Sequence, residues 1–197
     1  MIITFYTICS YNIEGINRDC VCDNYMYYYR TLYVTEYNRD KAVQYANKWA
    51  LKRNPSYFNF DKSGGDCTNF ASQVIFAGSK IMNYTPVYGW YYINSNKRTA
   101  SWTGVNYLYN FLISNKGIGP FAEQVDAKDI KPGDIIQLSF GGAPDYDHTP
   151  VVTNIGLTAS LDNILIASHT LDRINYPVTG YSWSDIRFLH IVGVRKG

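Results

Sequence analysis

Ser63-Gly64-Gly65-Asp66-Cys67-Thr68-Asn69-Phe70 holds a cysteine between a flexible turn and a predicted helix. The two glycines permit a tight turn, because glycine adopts backbone angles that other residues avoid. Asp66 is a good helix N-cap, and apolar side chains then recur at helical spacing until Gly78. Cys67 therefore falls in the first turn of a helix, where unpaired N–H groups and the helix dipole favour a thiolate. The alternative is a small, inert, buried cysteine.

The composition around this stretch is that of a globular protein. The chain has 197 residues, of which 46% are hydrophobic and 17% are charged, enough for one domain with a sizeable core. Its formal net charge is +2 and no run of Lys or Arg stands out, so no nucleic-acid partner is expected. No apolar run could span a bilayer, and the N terminus lacks the basic region of a signal peptide, so no membrane partner is expected either.

The cysteines give little reason to expect a metal. The chain contains four, namely Cys9, Cys20, Cys22 and Cys67. A Cys-x-Cys pair without nearby histidines is a poor zinc signature, and three thiols so close together indicate a local disulfide or reduced thiols. We therefore predict no metal site and no cofactor.

Helices are predicted in the first part of the chain. Asn38 can cap an amphipathic helix over residues 39–53, which Asn54-Pro55 ends. After the Cys67 helix, residues 78–101 have no sustained period and are predicted to be a long loop. A third helix is predicted to begin with Ser101 as its cap and to end at Gly117.

After residue 120 the apolar pattern changes to the period of a strand. The turn Lys131-Pro132-Gly133-Asp134 leads into a predicted strand over 135–140. Further strands are predicted over 148–155, 163–170 and 186–194. Helices first and strands afterwards predict an α+β fold, with N-terminal helices packed on a C-terminal antiparallel sheet.

A cysteine nucleophile needs a base and a group that orients the base. His148 begins a predicted strand, whereas His190 lies in mid-strand and is interpreted as an ordinary sheet residue. If strands 148–155 and 163–170 pair about a centre near residue 158 or 159, His148 lies opposite His169, to within about two positions. His169 is therefore the predicted orienter, with Asp172 in reserve. The alternative for each histidine is a structural role.

Several segments of the chain resemble the putative amidase domain family, a bacterial branch of papain-like enzymes related to the NlpC/P60 and CHAP cell-wall hydrolases. The matching segments are Tyr37-Asn38-Arg39 with Ala42, Tyr45, Ala46 and Trp49; Gly64 to Gln73; Ser101-Trp102-Thr103-Gly104; Lys131-Pro132-Gly133-Asp134; Asp147-His148; and His169-Thr170-Leu171-Asp172-Arg173. The resemblance implies a papain-like (NlpC/P60-type) domain over residues 37–197, preceded by an arm over residues 1–36.

The resemblance also implies roles for individual residues. Cys67 is the expected nucleophile, His148 the general base and then acid, and His169 the third member of a Cys-His-His triad. Asp66 is an expected substrate contact, since related enzymes carry an acidic residue before the cysteine that faces the amine of the substrate. Trp102 is the other expected substrate contact, and Asp172 is expected to support the triad from behind.

The function implied by the family is amide hydrolysis. The expected substrate is peptidoglycan, cut as an N-acetylmuramoyl-L-alanine amidase or a stem-peptide endopeptidase would cut it, by a monomer that acts outside the cell or in the cell wall. Two alternatives remain: a deamidase or acyltransferase that uses the same triad on a protein or small amide, and a non-catalytic cell-wall-binding module.

Overall fold

In the computed structural model, which describes residues 31–197, the helices precede most of the strands. The helices are α1 (Arg39–Trp49), α2 (Cys67–Ser79), α3 (Ala100–Thr103) and α4 (Val105–Ser114). The strands are β1 (Tyr33–Thr35), β2 (Tyr92–Asn94), β3 (Lys97–Arg98), β4 (Gly119–Val125), β5 (Ile135–Ser139), β6 (Val151–Asn154), β7 (Leu165–Ser168), β8 (Arg173–Pro177) and β9 (Asp185–Lys196).

The main sheet is built around β9, the longest strand. It has the order β1-β9-β5-β6-β7-β8, and β4 also pairs with β9. Every pairing among the described strands is antiparallel. The predicted α+β class, with early helices and a later antiparallel sheet, is therefore confirmed, and the sheet is curled. Cys9, Cys20, Cys22 and most of the predicted arm over residues 1–36 lie outside the described residues.

Helix α1 has the predicted start but an earlier end. The side chain of Asn38 accepts a hydrogen bond from the backbone N–H of Lys41 at 2.9 Å, as expected of an N-cap. The helix ends at Trp49, not at residue 53. The carbonyl of Trp49 already accepts hydrogen bonds from the backbone N–H of Lys52 and from His169 Nε2. Because that carbonyl is occupied, the helical pattern does not continue to Arg53.

The predicted third helix is two helices. Gly104 separates α3 from α4 and has extended backbone angles, with φ of −112° and ψ of 129°. Thr99, not Ser101, stands at the N-cap position of α3. The hydroxyl of Ser101 instead donates to the carbonyl of Gly89 and holds the long loop, in which β2 and β3 form a small hairpin.

Besides β2 and β3, which lie in the predicted loop, three strands of the main sheet were not predicted individually. They are β1, β4 and β8. Gly119, two residues after the predicted end of the third helix, begins β4, which pairs with β9 from Gly119↔Arg195 to Val125↔Phe188. Two of these strands pair with β9 and the third with β7, so partners far along the chain determine their structure more than their own sequence does.

A buried carboxylate joins the start of α1 to the sheet. Asp134 is fully buried in the Pro-Gly-Asp turn and accepts hydrogen bonds from Arg39 Nη1 at 2.7 Å and from the backbone N–H of Ile191 at 2.9 Å. Its second oxygen lies 2.8 Å from His190 Nδ1. His190 therefore has structural contacts, in line with its interpretation as an ordinary sheet residue. This cluster fixes α1 against β9.

Candidate active site

Cys67 is the first residue of α2 and only 7% of its surface is exposed. Its sulfur lies 3.8 Å from the hydroxyl of Thr68 and near the backbone N–H groups of Thr68 and Thr149. The two threonine hydroxyls are 3.1 Å apart. This contact joins the start of α2 to the segment that leads into β6, and it brings the residue after His148 against the thiol.

The thiol is held in its protonated form. Burial, the largest influence, raises the pKa of Cys67, and the nearby backbone N–H groups offset only part of that effect. The expected thiolate at the helix start is therefore not the ground state of this closed site. Desolvation outweighs the favourable position at the N terminus of α2.

His148 lies in the segment that leads into β6. It forms an isolated bridge with Leu138 and is only 5% exposed. Its Nε2 lies 3.3 Å from the hydroxyl of Tyr181, which in turn lies 2.9 Å from the hydroxyl of Ser168. Burial lowers the pKa of His148 from 6.5 to about 4. At neutral pH the imidazole is therefore uncharged and able to accept a proton.

The lowered pKa of His148 predicts a loss of stability in acid. The unfolded chain binds the proton at a higher pH than the folded chain, so this contribution is fully present above pH 6.5 and is lost as the pH falls toward 4. The expected loss is about 3 kcal/mol in the free energy of unfolding. Urea denaturation of wild type and His148→Gln at a series of pH values measures it. Equal pH slopes for the two proteins would contradict the assignment.

The protonated thiol predicts slow alkylation. At neutral pH, iodoacetamide should label Cys67 more slowly than it labels free cysteine, because the thiolate is the reactive form and burial disfavours it. Trypsin releases residues 63–80 as a peptide whose only cysteine is Cys67, so mass spectrometry reads this site separately. Labelling faster than that of free cysteine would instead indicate a thiolate stabilised by the helix start.

His169 does not contact His148. Its Nδ1 lies 2.6 Å from Asp66 Oδ2 and its Nε2 lies 2.8 Å from the carbonyl of Trp49. The predicted register was wrong by one residue: β6 and β7 pair Val151↔Ala167, and extension of that pairing sets position 149, not 148, opposite His169. Because side chains alternate between the faces of a strand, one step turns His169 to the opposite face from His148.

His169 has structural contacts at both of its ring nitrogens. It is fully buried, with the carboxyl group of Asp66 on one side and the carbonyl of Trp49 on the other. Phe70 stacks on its ring at 4.1 Å between centroids. The buried pair of Asp66 and His169 therefore joins the start of α2 to the segment after β7, and these contacts, rather than His148, hold the His169 ring.

Asp66 is fully buried and its oxygens are occupied within the protein. One oxygen accepts from the backbone N–H of Phe60 and from Asn69 Nδ2, both at 2.9 Å, and the other faces His169. It stands at the N-cap position of α2, but its side chain makes no capping hydrogen bond. The predicted cap is therefore wrong in its contacts, and in this state the carboxylate does not face a substrate amine.

Trp102 is also fully buried, and its Nε1 donates to Asn69 Oδ1 at 2.9 Å. It therefore packs in the core and supports α2, and it does not line an open substrate site. Asp172 accepts from Arg53 Nη2 at 2.7 Å, and Arg53 Nε lies 3.5 Å from Asp66 Oδ2. Asp172 thus reaches Asp66, the neighbour of Cys67, through one arginine.

Three residues of this site were not predicted from the sequence. Tyr181 and Ser168 contact His148 directly or through one hydroxyl, and Arg53 contacts Asp66. Ser168 lies within the two positions on either side of His169 that the predicted register allowed. A shift of one residue in that register changes which face of the strand lies beside His148, and this uncertainty was the signal for Ser168. Tyr181 is one of 19 tyrosines, and no local pattern distinguishes it.

Two further features are absent from residues 31–197. No group of three or more His, Cys, Asp or Glu side chains in that part of the chain is arranged to hold a metal ion. Within the same range, every helix is too short or too polar to cross a membrane.

Comparison with known proteins supplies a family match. A family model described as a putative amidase domain matches residues 36–192. The chain is similar to two uncharacterized proteins of Bacillus subtilis (strain 168): YhbB, at 38% identity over 59% of this chain, and YjcM, at 26% identity over 73%. The matched regions span only 37% and 33% of those relatives. No solved structure matches.

Proposed function

Because the chain belongs to the putative amidase domain family, a match that suggests a hydrolase, we propose that it is a cysteine-dependent amide hydrolase. The observation that carries this proposal is the contact between Cys67, at the start of α2, and Thr149, which directly follows the neutral imidazole of His148. The proposed nucleophile thus lies against the residue that follows the proposed base in the chain.

The two residues begin the reaction as an uncharged pair. His148 accepts the thiol proton while the sulfur of Cys67 attacks the amide carbonyl, so the thiolate forms only as the bond to carbon forms. Backbone N–H groups in the first turn of α2 stabilise the negative oxygen of the tetrahedral intermediate. The C–N bond then breaks, and the amine leaves with the proton that His148 had accepted.

Hydrolysis of the thioester completes the cycle. His148 accepts a proton from a water molecule, which attacks the thioester carbon, and the proton returns to the sulfur as the C–S bond breaks. The products are an amine and a carboxylic acid, and Cys67 is again a thiol. No further reactant is needed for the proton balance.

In this proposal Tyr181 orients the imidazole of His148, the role that was predicted for His169. If the Tyr181 hydroxyl donates to Ser168, it can accept a hydrogen bond from His148 Nε2, and the lone pair of the imidazole then lies on Nδ1. Among the described residues, no group forms a hydrogen bond with His148 Nδ1, so this nitrogen is free to act as the base.

We assign the fold to a papain-like core of the NlpC/P60 type, on the order of its elements: a helix that begins with cysteine, followed by antiparallel strands that carry histidine. The proposed substrate is peptidoglycan, cut at the glycan–peptide amide or within the stem peptide. On this proposal the protein acts as a monomer outside the cell or in the cell wall.

A single assay tests the proposal. The purified protein is incubated with defined muropeptides and the products are read by mass. The expected result is two fragments whose masses sum to the substrate plus one water. Intact substrate in every preparation, from a folded protein, would overturn hydrolysis of the cell wall. Deamidation of a protein glutamine or transfer of an acyl group would instead favour the alternative use of the same residues.

A further inference from the structure

Arg173 is a cation beside the proposed active site that has no anionic partner among the described residues. Five other arginines in that part of the chain each donate a hydrogen bond to an oxygen acceptor; these are Arg39, Arg53, Arg98, Arg187 and Arg195. For Arg173 the described residues supply none, and its Nε is buried without an acceptor. A buried donor of a charged group is costly to leave without a partner, so an acceptor is expected from elsewhere.

The position of Arg173 relates it to His148. Arg173 is the first residue of β8 and pairs with Ser168 at the end of β7, so the two side chains lie on one face of the sheet. Ser168 holds the hydroxyl of Tyr181, and that hydroxyl contacts His148. Arg173 therefore lies on the same face as the proposed base.

Two aromatic rings fill the space between the guanidinium and His148. The Arg173 Cζ atom lies 4.7 Å from the centre of the Tyr176 ring, and the Tyr176 and Tyr181 ring centres are 5.4 Å apart. Burial is the largest cause of the raised pKa of Tyr181. The charge of Arg173 lowers this pKa, and the charge of Cys67 raises it. Arg173 and the thiol thus lie near the same phenol.

A second unpaired donor belongs to the same region of the core. Trp183 Nε1 is buried and has no acceptor among the described residues. Trp183, Tyr176 and Tyr181 all pack against the same buried apolar cluster. Two buried donors without acceptors leave room for an oxygen-bearing group from outside the described residues to act as the acceptor.

We propose that Arg173 binds a free carboxylate of the substrate, so that the enzyme selects amides that carry a carboxyl group near the scissile bond. A guanidinium recognises a carboxylate through two parallel N–H···O hydrogen bonds, and stacking on Tyr176 holds its plane. This inference rests on the proposed role of Cys67 and narrows the substrate class to acidic peptides or acidic amides.

Alkylation of Cys67 tests the inference without any hydrolysis. Iodoacetate and iodoacetamide differ by one negative charge, and the ratio of their rates at Cys67 cancels effects of burial and thiol acidity. Arg173→Gln should lower the iodoacetate-to-iodoacetamide ratio by about tenfold, the factor that corresponds to one charge-assisted hydrogen bond. Arg173→Lys should retain part of the ratio. Lys128→Gln, an exposed lysine with 70% of its side chain accessible, is the matched loss of charge and should leave the ratio unchanged.

A second measurement does not depend on the reactivity of Cys67. In a ¹H–¹⁵N spectrum of the wild type, the Arg173 Nε–H signal should shift in a saturable way with acetate and should not shift with acetamide. The carboxylate site would be contradicted if Arg173→Gln left the alkylation ratio unchanged. It would also be contradicted if acetate did not change the chemical shift of the Arg173 Nε–H signal. If the ratio falls but no muropeptide is cleaved, the carboxylate site at Arg173 is supported and the proposed hydrolysis of the cell wall is contradicted. The two proposals can therefore fail separately.

Discussion

Cys67→Ser will lose amide hydrolysis by about 10⁴-fold or more while the protein remains folded. The hydroxyl has nearly the same size as the thiol, but its proton is held far more strongly, and the neutral His148 is too weak a base to remove it early. Product release from a muropeptide, followed by mass, measures the loss. Residual activity above about a tenth of the wild type would exclude Cys67 as the nucleophile.

The matched variant Cys67→Ala separates chemistry from stability. Removal of one buried sulfur should cost only about 1 kcal/mol in the free energy of unfolding, so its denaturation midpoint should stay close to that of the wild type. His148→Ala should lose activity on a similar scale. The double variant should be little worse than either single variant, because nucleophile and base act as one unit.

Asp66→Asn will destabilise the fold by about 3–5 kcal/mol, the cost of removing one partner of a buried, hydrogen-bonded pair. Asp66 and His169 are both fully buried and 2.6 Å apart, and an amide in place of the carboxyl group would disturb this contact and the 3.5 Å contact with Arg53. Urea denaturation at neutral pH measures the change.

Asp61→Asn is the matched control for this prediction. Asp61 binds the same Arg53 at 2.9 Å, but a third of its side chain is exposed, so its loss should cost less than about 1 kcal/mol. The double variant Asp66→Asn/His169→Gln should recover part of the stability, because it replaces both members of the buried pair and leaves neither without a partner. A loss for Asp66→Asn no greater than that for Asp61→Asn would contradict the structural role assigned to the Asp66–His169 pair.

Local patterns predicted the start of the helix at the candidate site and the capping of α1. Both depend on residues adjacent in sequence: the glycine turn before Cys67, and Asn38 three positions before Lys41. The order of helices and strands followed in the same way. By contrast, β4 and β8 depend on pairing with distant strands, and short apolar segments carry little information about such partners.

The candidate site was predictable only as far as strand register was known. Cys67 and His148 came from separate local arguments, and the fold brings the thiol against the neighbour of His148. The partner of His148 required a register, and an error of one residue selected His169, whose side chain lies on the opposite face, instead of the face that carries Ser168. The acidity of Cys67 was also misjudged, because its exposure could not be obtained from the sequence and burial proved to be the larger effect.

The two buried aspartates have a consequence for how the protein folds. Asp134 binds Arg39 at the start of α1, and Asp66 lies 3.5 Å from Arg53, just beyond the end of the same helix. Each carboxylate also binds a histidine from a late part of the sheet, and Asp66 and His169 are 103 positions apart along the chain. A sheet without α1 in place would bury two carboxylates that lack their arginines. Docking of the helix and closure of the sheet are therefore coupled, which favours a single cooperative folding transition without a stable half-assembled intermediate.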